Sequence, residues 1–291
     1  MARRHADTLS PSPAAMRLLV FALLLTSLPA AAQADTEWVA SADGGSEVEG
    51  ARAQAPDDLY DVDAAPAFWV SSPELVVRET PADRAPALVT LRRRDGVRVL
   101  DEVGPPADGF AAGWRLVQYG AVRGYVRAAT LSNVWIRVDK SERMVYVYRG
   151  SELVRELPAD VSVSDEDKVR RSQIGETEHY RIPEGTFFVT RRNGASQYYR
   201  AFVISYPNPV HALRGFERRL ITEAQYRAIV ESEQNGTEPP MNTALGGLIE
   251  IHGQGSGRQR AWTRGCVALR NVHMDELWDY VEVGTPVVIE P

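Results

Sequence analysis

Apolar and polar residues alternate with a period of two through much of this chain, a pattern that predicts half-buried β-strands. Short runs of this kind at 75–78, 87–91, 96–103, 113–119 and 124–126 are separated by turn residues. Their even spacing predicts a small β-barrel over residues 67–133. Valine, isoleucine and tyrosine then alternate with polar residues from 134 to 148, and Gly150 supplies a hairpin turn before a strand at 153–157. Further strands are expected at 185–191 and 201–206, with 287–289 closing the sheet, while the charged stretch 165–178 reads as a loop. Two helices are expected. Thr222 is placed to cap one running to Val230, and Asn271 to cap one over 272–281 that buries Leu277 and Trp278. Residues 235–242, with Pro239 and Pro240, form a connection.

The first 66 residues lack this patterning. An apolar run at 18–25 follows Arg17 and precedes Pro29 and an alanine-rich stretch, the three-part form of a secretory signal over residues 1–34. Ala32, Gln33 and Ala34 fit the small-x-small cleavage rule, which makes Asp35 the first mature residue. Met16 is an alternative start, because fifteen residues before it make a long n-region. The run is short for a bilayer span, so no stable membrane span is expected after cleavage, and the protein is expected in the periplasm or cell envelope. Residues 35–66, rich in Ala, Asp, Glu, Gly and Ser, read as a flexible acidic linker.

Composition narrows the function. The chain has 291 residues, enough for one to three domains, and 39 acidic against 33 basic side chains give a formal charge of −6. Nucleic-acid binding needs a basic face, which is missing, so no nucleic-acid partner is expected. There is one cysteine, Cys266, fourteen positions after His252. An exported protein with a single thiol forms no internal disulfide, which leaves the sulfur available for chemistry. A lone cysteine is more often a small buried hydrophobe, and a lone histidine a satisfied core or surface residue. Here each stands beside a glycine in one short segment. Ile249 and Ile251 point one way and Glu250 the other, so His252 ends a strand, placed at a sheet edge, and Gly253 allows a sharp turn. A base there can take the thiol proton. Gly265 lets the backbone before Cys266 approach a substrate, with consecutive amides directed at a developing oxyanion. A metal site built from His252, Cys266 and His273 lacks the usual ligand spacings, and neither metal nor cofactor is expected.

His252-Gly253 followed by Thr263-x-Gly265-Cys266-Val267 resembles the signature of the L,D-transpeptidase catalytic domain, also called YkuD. The resemblance extends upstream to an opening hairpin at 138–148, an Arg181-Ile182-Pro183-Glu184-Gly185-Thr186-Phe187 segment and a central strand with Ile204-Ser205-Tyr206-Pro207-Asn208. It covers about 134–291 and implies a mainly β, L,D-transpeptidase-type sandwich with short helices. The order of strands over 67–133, with Trp114 and a Gly124-Tyr125-Val126 ending, resembles a bacterial SH3-like barrel. Trp114 and Tyr125 are candidates for a ligand groove there, and aromatic residues in so small a barrel are more often core. Two departures stand out: many members have a second histidine where this chain has Arg264, and an arginine where it has Ala268, for which Arg270 is the candidate replacement.

The resemblance implies that Cys266 attacks the carbonyl before the last D-residue of a peptidoglycan stem tetrapeptide. It makes His252 the base, oriented by the Gly253 carbonyl, and the amides of Arg264, Gly265 and Cys266 the oxyanion hole. Arg270, Thr263 and Trp262 are its substrate-binding candidates. Released D-alanine leaves a thioester, which an amine of a second stem resolves as a 3→3 crosslink. Exchange of the terminal D-amino acid, hydrolysis as an L,D-carboxypeptidase and attachment of a protein to the wall share that acyl-enzyme. Cysteine endopeptidases of the NlpC/P60 type place the cysteine first, and sortases space the pair far more widely. A wall-binding module that has lost activity is the non-enzymatic alternative.

Overall fold

The computed structural model describes residues 60–102, 113–173 and 176–291. The secretory signal, its cleavage point and residues 35–59 of the expected linker lie outside the described residues. The end of that linker is packed rather than loose: Tyr60, Val62 and Ala65 join Leu100, Leu116 and Tyr125 in a small apolar cluster. A turn closed by the Ala65 amide on Asp61 O holds them there.

Seven strands follow: β1 (Ala67–Val70), β2 (Glu74–Arg78), β3 (Ala87–Arg92), β4 (Gly96–Val99), β5 (Trp114–Tyr119), β6 (Val122–Arg127) and β7 (Leu131–Ser132). They form one sheet in the order β3-β2-β6-β5-β4-β1-β7. Strands were expected at β2 to β6. The sequence reading passed over β1 and β7, which pair with each other antiparallel and are short. Val103, expected in β4, lies outside the described residues, and β4 gives way at Leu100 to a short 3-10 turn. Trp114 is buried beneath the guanidinium of Arg127.

The remaining strands are β8 (Val134–Asp139), β9 (Met144–Arg149), β10 (Glu152–Pro158), β11 (Val161–Ser162), β12 (Gly185–Ser196), β13 (Tyr199–Ile204), β14 (Glu250–His252), β15 (Ala261–Thr263), β16 (Val267–Ala268) and β17 (Pro286–Glu290). Eight of them run in the order β10-β9-β8-β17-β12-β13-β14-β16, and β11 pairs β15 separately. Strand β12 belongs to both halves of the sheet. Its first residues pair with β17 and its later ones with β13, with an irregularity between Val189 and Arg191 that redirects it. One continuous core joins the halves, from Ile136, Val145 and Val147 through Phe187 and Phe202 to Ile251, Val267 and Leu277. The last strand does not close an edge as expected. It inserts between β8 and β12, because its Val287 and Ile289 side chains complete the core.

Among the described residues three helices pack around this sheet: α1 (Pro209–Glu217), α2 (Glu223–Asn235) and α3 (Asn271–Trp278). Helix α1 was not expected, although its start is written in the sequence. Asn208 caps it by accepting from the His211 amide, and Pro209 takes the first turn. Thr222 caps α2 in a reciprocal pair with Gln225, and Gly236 in the left-handed conformation ends it. Asn271 does not cap α3. Its side chain accepts from the Gln254 amide at 2.8 Å, tying the helix to the loop after His252. The two parts of the chain meet through Arg94, which donates to Glu233 and lies 3.8 Å above the Phe188 ring. No described helix is long and apolar enough to cross a membrane.

Candidate active site

His252 ends β14, and its position is fixed on every side. Ile251 and Val267 are paired on adjacent parallel strands and face the core, so His252 and its partner Ala268 face the other way. Strand β14 is the second strand from the edge of the sheet, with β16 outside it, and His252 stands at its end. The turn is as tight as the sequence implied. A Cβ on Gly253 would lie 2.6 Å from Tyr198 O and 2.7 Å from Asn271 Oδ1. His252 is 2% exposed, with the Tyr198 ring stacked at 4.4 Å and the Trp262 ring edge-on at 6.3 Å.

Nδ1 of His252 lies 2.7 Å from Gly253 O. A carbonyl only accepts, so Nδ1 carries the proton and Nε2 keeps its lone pair. Burial lowers the imidazole pKa, and the Gly253 carbonyl offsets this only in part. At neutral pH the ring is therefore an uncharged base with a fixed tautomer.

Cys266 stands one residue before β16, beside Glu250 in the parallel register. The residue is half-buried, and its thiol donates to Leu248 O at 3.8 Å. No hydrogen bond joins it to His252 among the described residues. Burial pushes the thiol up to about 12, aided by the Glu250 carboxylate and opposed by the Glu250 amide and the Lys168 ammonium. Gly265 has φ +105°, and a Cβ there would meet Arg181 O at 3.0 Å. No other residue fits that conformation without strain. Its amide does not face a substrate, because it donates to Ser162 Oγ at 2.8 Å. Of the three amides expected to face an oxyanion, this one is occupied, which leaves those of Arg264 and Cys266.

Thr263 is also turned inward. It is 1% exposed and donates to Cys266 O at 2.6 Å, with Ser162 Oγ 3.0 Å from its hydroxyl. It braces the backbone of Cys266 and points away from the surface. Trp262 is 43% exposed beside His252, at the mouth of the site. Arg270 donates to Nε2 of His273 at 2.7 Å, and its aliphatic stem packs against Gly257. It supports α3 and the glycine loop and does not line the cleft at Cys266.

The residue that sequence reasoning missed is Asp160, fully buried between β10 and β11. Oδ2 accepts from the Ser256 amide and from Trp262 Nε1, both at 2.7 Å, and Oδ1 from Ser256 Oγ at 2.7 Å and the Arg260 amide at 2.9 Å. Its own backbone exchanges two 2.8 Å hydrogen bonds with Ala268. One carboxylate thus ties the glycine loop, Trp262 and β16 together. An isolated Asp before a Val-Ser-Val run gives no sequence signal of this.

A cleft of about 250 Å³ is lined by Lys168, Arg171, Ser172, His179, Arg264 and residues 246–249, and it neighbours Cys266 through Leu248, whose carbonyl accepts from the thiol. Arg264, the departure from the commoner histidine, is therefore a wall of the site.

A sequence model described as the L,D-transpeptidase catalytic domain, YkuD, matches residues 133–289, more than half of the chain. No curated protein matches in sequence. Among solved structures, an L,D-transpeptidase from Mycobacterium smegmatis is 13% identical with TM-score 0.34, the match covering 61% of this chain and 67% of that one. Bd1075 from Bdellovibrio bacteriovorus is 25% identical with TM-score 0.34, covering 55% of this chain and 47% of that one. The helical cell shape determining protein Pgp2 from Campylobacter jejuni is 20% identical with TM-score 0.35, covering 55% and 48%. The chain thus spans about half the length of the last two.

Proposed function

The chain belongs to the L,D-transpeptidase catalytic-domain family, YkuD, and from that premise we propose that it is a peptidoglycan L,D-transpeptidase in which Cys266 is the nucleophile and His252 the base. The observation that carries this is the 2.7 Å contact of His252 Nδ1 with Gly253 O, which leaves Nε2 as a neutral base on the strand beside Cys266. A rotation of the thiol from Leu248 O toward Nε2 precedes attack. The proton then passes from sulfur to Nε2, the sulfur forms a bond to the carbonyl carbon before the terminal D-residue, and the oxyanion takes the amides of Arg264 and Cys266. Collapse breaks the C–N bond, and Nε2 returns the proton to the departing D-amino acid. An amine of a second stem peptide, of a free D-amino acid or of a wall-attached protein resolves the thioester, and His252 takes its proton in turn. The N-terminal sheet is read as an SH3-like module and the leader at 1–34 as the route to the cell envelope.

The test incubates purified protein with disaccharide tetrapeptide and weighs the products. Release of D-alanine is expected, with dimer, exchange product or tripeptide each identifying the acceptor by mass. Cys266→Ala is expected to abolish release while the protein keeps its melting temperature within a few degrees. Normal turnover by that variant refutes the assignment of the nucleophile.

A further inference from the structure

The cleft beside Cys266 is cationic in a chain whose formal charge is −6. The reason lies in how the acidic residues of the same segment are used. Arg181 pairs with Glu166 and Glu178, Arg214 with Asp167, and Arg170 with Glu176. Those carboxylates are spent on arginines outside the cleft. Lys168, Arg171 and Arg264, which line it, have no ion pair among the described residues.

Lys168 is 6% exposed, and its ammonium donates to the backbone carbonyl of Glu178 at 3.2 Å. Arg171 likewise donates to a neutral group, Met241 O, at 3.0 Å. Burial works against the Lys168 ammonium, the nearby Glu178 carboxylate offsets this only in part, and an arriving anion would offset more. Two more polar atoms wait at the same wall: Ser172 Oγ and His179 Nε2 are buried with no hydrogen-bond partner among the described residues. Buried polar groups are normally satisfied, and each of these two would gain a partner only if its side chain turned toward the cleft.

Resting on the reading of Cys266 as nucleophile, the geometry points to a carboxylate subsite in this cleft, one that holds the free α-carboxylate of the residue leaving the acyl donor, with Lys168 as its specificity-determining contact. The chain length fits. One residue spans roughly 3.3–3.6 Å, so a carboxylate one residue beyond the attacked carbonyl falls just past the thiol. Leu248, whose carbonyl accepts from the thiol, is one of the residues that line the cleft, which places the cleft next to Cys266. At ~30 Å³ per water the cleft's volume of about 250 Å³ corresponds to about eight waters, ample for one small amino-acid residue.

The experiment compares a tetrapeptide donor with a free C-terminus against the same donor as its C-terminal amide. Charge-assisted hydrogen bonds of this type correspond to preferences of roughly 10- to 150-fold, so wild type is expected to favour the free acid by about 30-fold in kcat/KM. Because loss of the ammonium also raises the thiol for both donors, Lys168→Met is expected to slow both but the acid by about tenfold more than the amide, shrinking the preference to about threefold or less, and Lys168→Arg to restore part of it. Arg264→Ala, at an exposed position, gives a second reduction should Lys168→Met fold poorly. Equal use of acid and amide by wild type, or full discrimination retained in Lys168→Met, overturns the subsite while leaving Cys266 as nucleophile. Discrimination that follows amidation of the acceptor instead overturns the donor assignment. No turnover of either donor by wild type overturns the nucleophile reading, and the subsite with it.

Discussion

Replacing Asp160 with asparagine tests whether one buried carboxylate holds the loop between His252 and Cys266. Four donors converge on it, two on each oxygen. Asparagine offers one oxygen and an amide nitrogen that cannot accept. With the nitrogen on the Oδ2 side, the Ser256 amide and Trp262 Nε1 would both lose their acceptor. On the Oδ1 side the Ser256 hydroxyl can turn and accept, so only the Arg260 amide is orphaned, and the side chain should settle that way. An orphaned donor costs about 1–3 kcal/mol, and the remaining bonds lose their charge assistance. Because Ser256 and Arg260 lie at the surface and water substitutes in part, the expected loss is about 2–3 kcal/mol. That is a large share of the ~5–15 kcal/mol that stabilises a typical domain. The effect should depend on pH. Burial pushes the Asp160 carboxyl up, but hydrogen bonds from Ser256, Trp262 and Arg260 outweigh it and hold the group below its ordinary value. A carboxylate depressed in the folded state contributes stability above its unfolded pKa, near ~4, and loses it as pH falls through the folded value. Wild type and Asp160→Asn should therefore differ most at neutral pH and converge in acid. Urea unfolding from pH 3 to 7 measures this, with amide exchange at Ser256 and Arg260 as the local readout. Equal stability at pH 7, together with unchanged exchange at those two amides, would refute the reasoning.

Gly265→Ala should lower D-alanine release by at least about tenfold, since a side chain at φ +105° adds strain of about 1–3 kcal/mol and its Cβ presses on Arg181 O beside the nucleophile. An alanine variant with wild-type turnover and melting temperature would show the backbone there to be free to move. Glu250→Gln removes a carboxylate that raises the Cys266 thiol, so the pH profile of iodoacetamide alkylation should shift to lower pH and the rate at pH 8 rise by about threefold. A shift to higher pH would mean that the carboxylate acts on the thiol through something other than its charge.

Residues whose role is local were the ones legible in the sequence. The strands β2 to β6, the Thr222 cap and the glycine after His252 are dictated by alternation, by capping chemistry and by steric need within a few positions. What the sequence did not disclose depends on pairing across long separations. The insertion of β17 between β8 and β12 pairs residues 286–290 with 136–139 and 185–188, roughly a hundred positions and more away. The same holds for Asp160, which meets donors nearly a hundred residues away. Gly265 illustrates both sides. Its need for glycine follows from a close backbone approach, but that its amide would be taken by Ser162, itself about a hundred positions earlier, does not. Asn271 was misread for the same reason: a good local capping residue was recruited by a loop seventeen residues upstream.

The resting site is a neutral pair and not a thiolate with an imidazolium. With the thiol pushed up to about 12 and the imidazole lowered by burial, moving the proton from Cys266 to His252 is uphill. On the proposed mechanism, the groups that set this gap bear on the rate. Burial and the Glu250 carboxylate widen it, while the Glu250 amide and the Lys168 ammonium narrow it. A carboxylate docked on Lys168 would screen that ammonium and make the thiolate still less favourable, unless proton transfer and attack on the carbonyl occur together. Substrate binding and a late, coupled proton transfer then belong to one requirement: the sulfur becomes anionic only as its bond to carbon forms. A solvent isotope effect on acylation near unity, with the full pKa of the free thiol governing the rate, would point instead to a preformed thiolate and contradict this order of events.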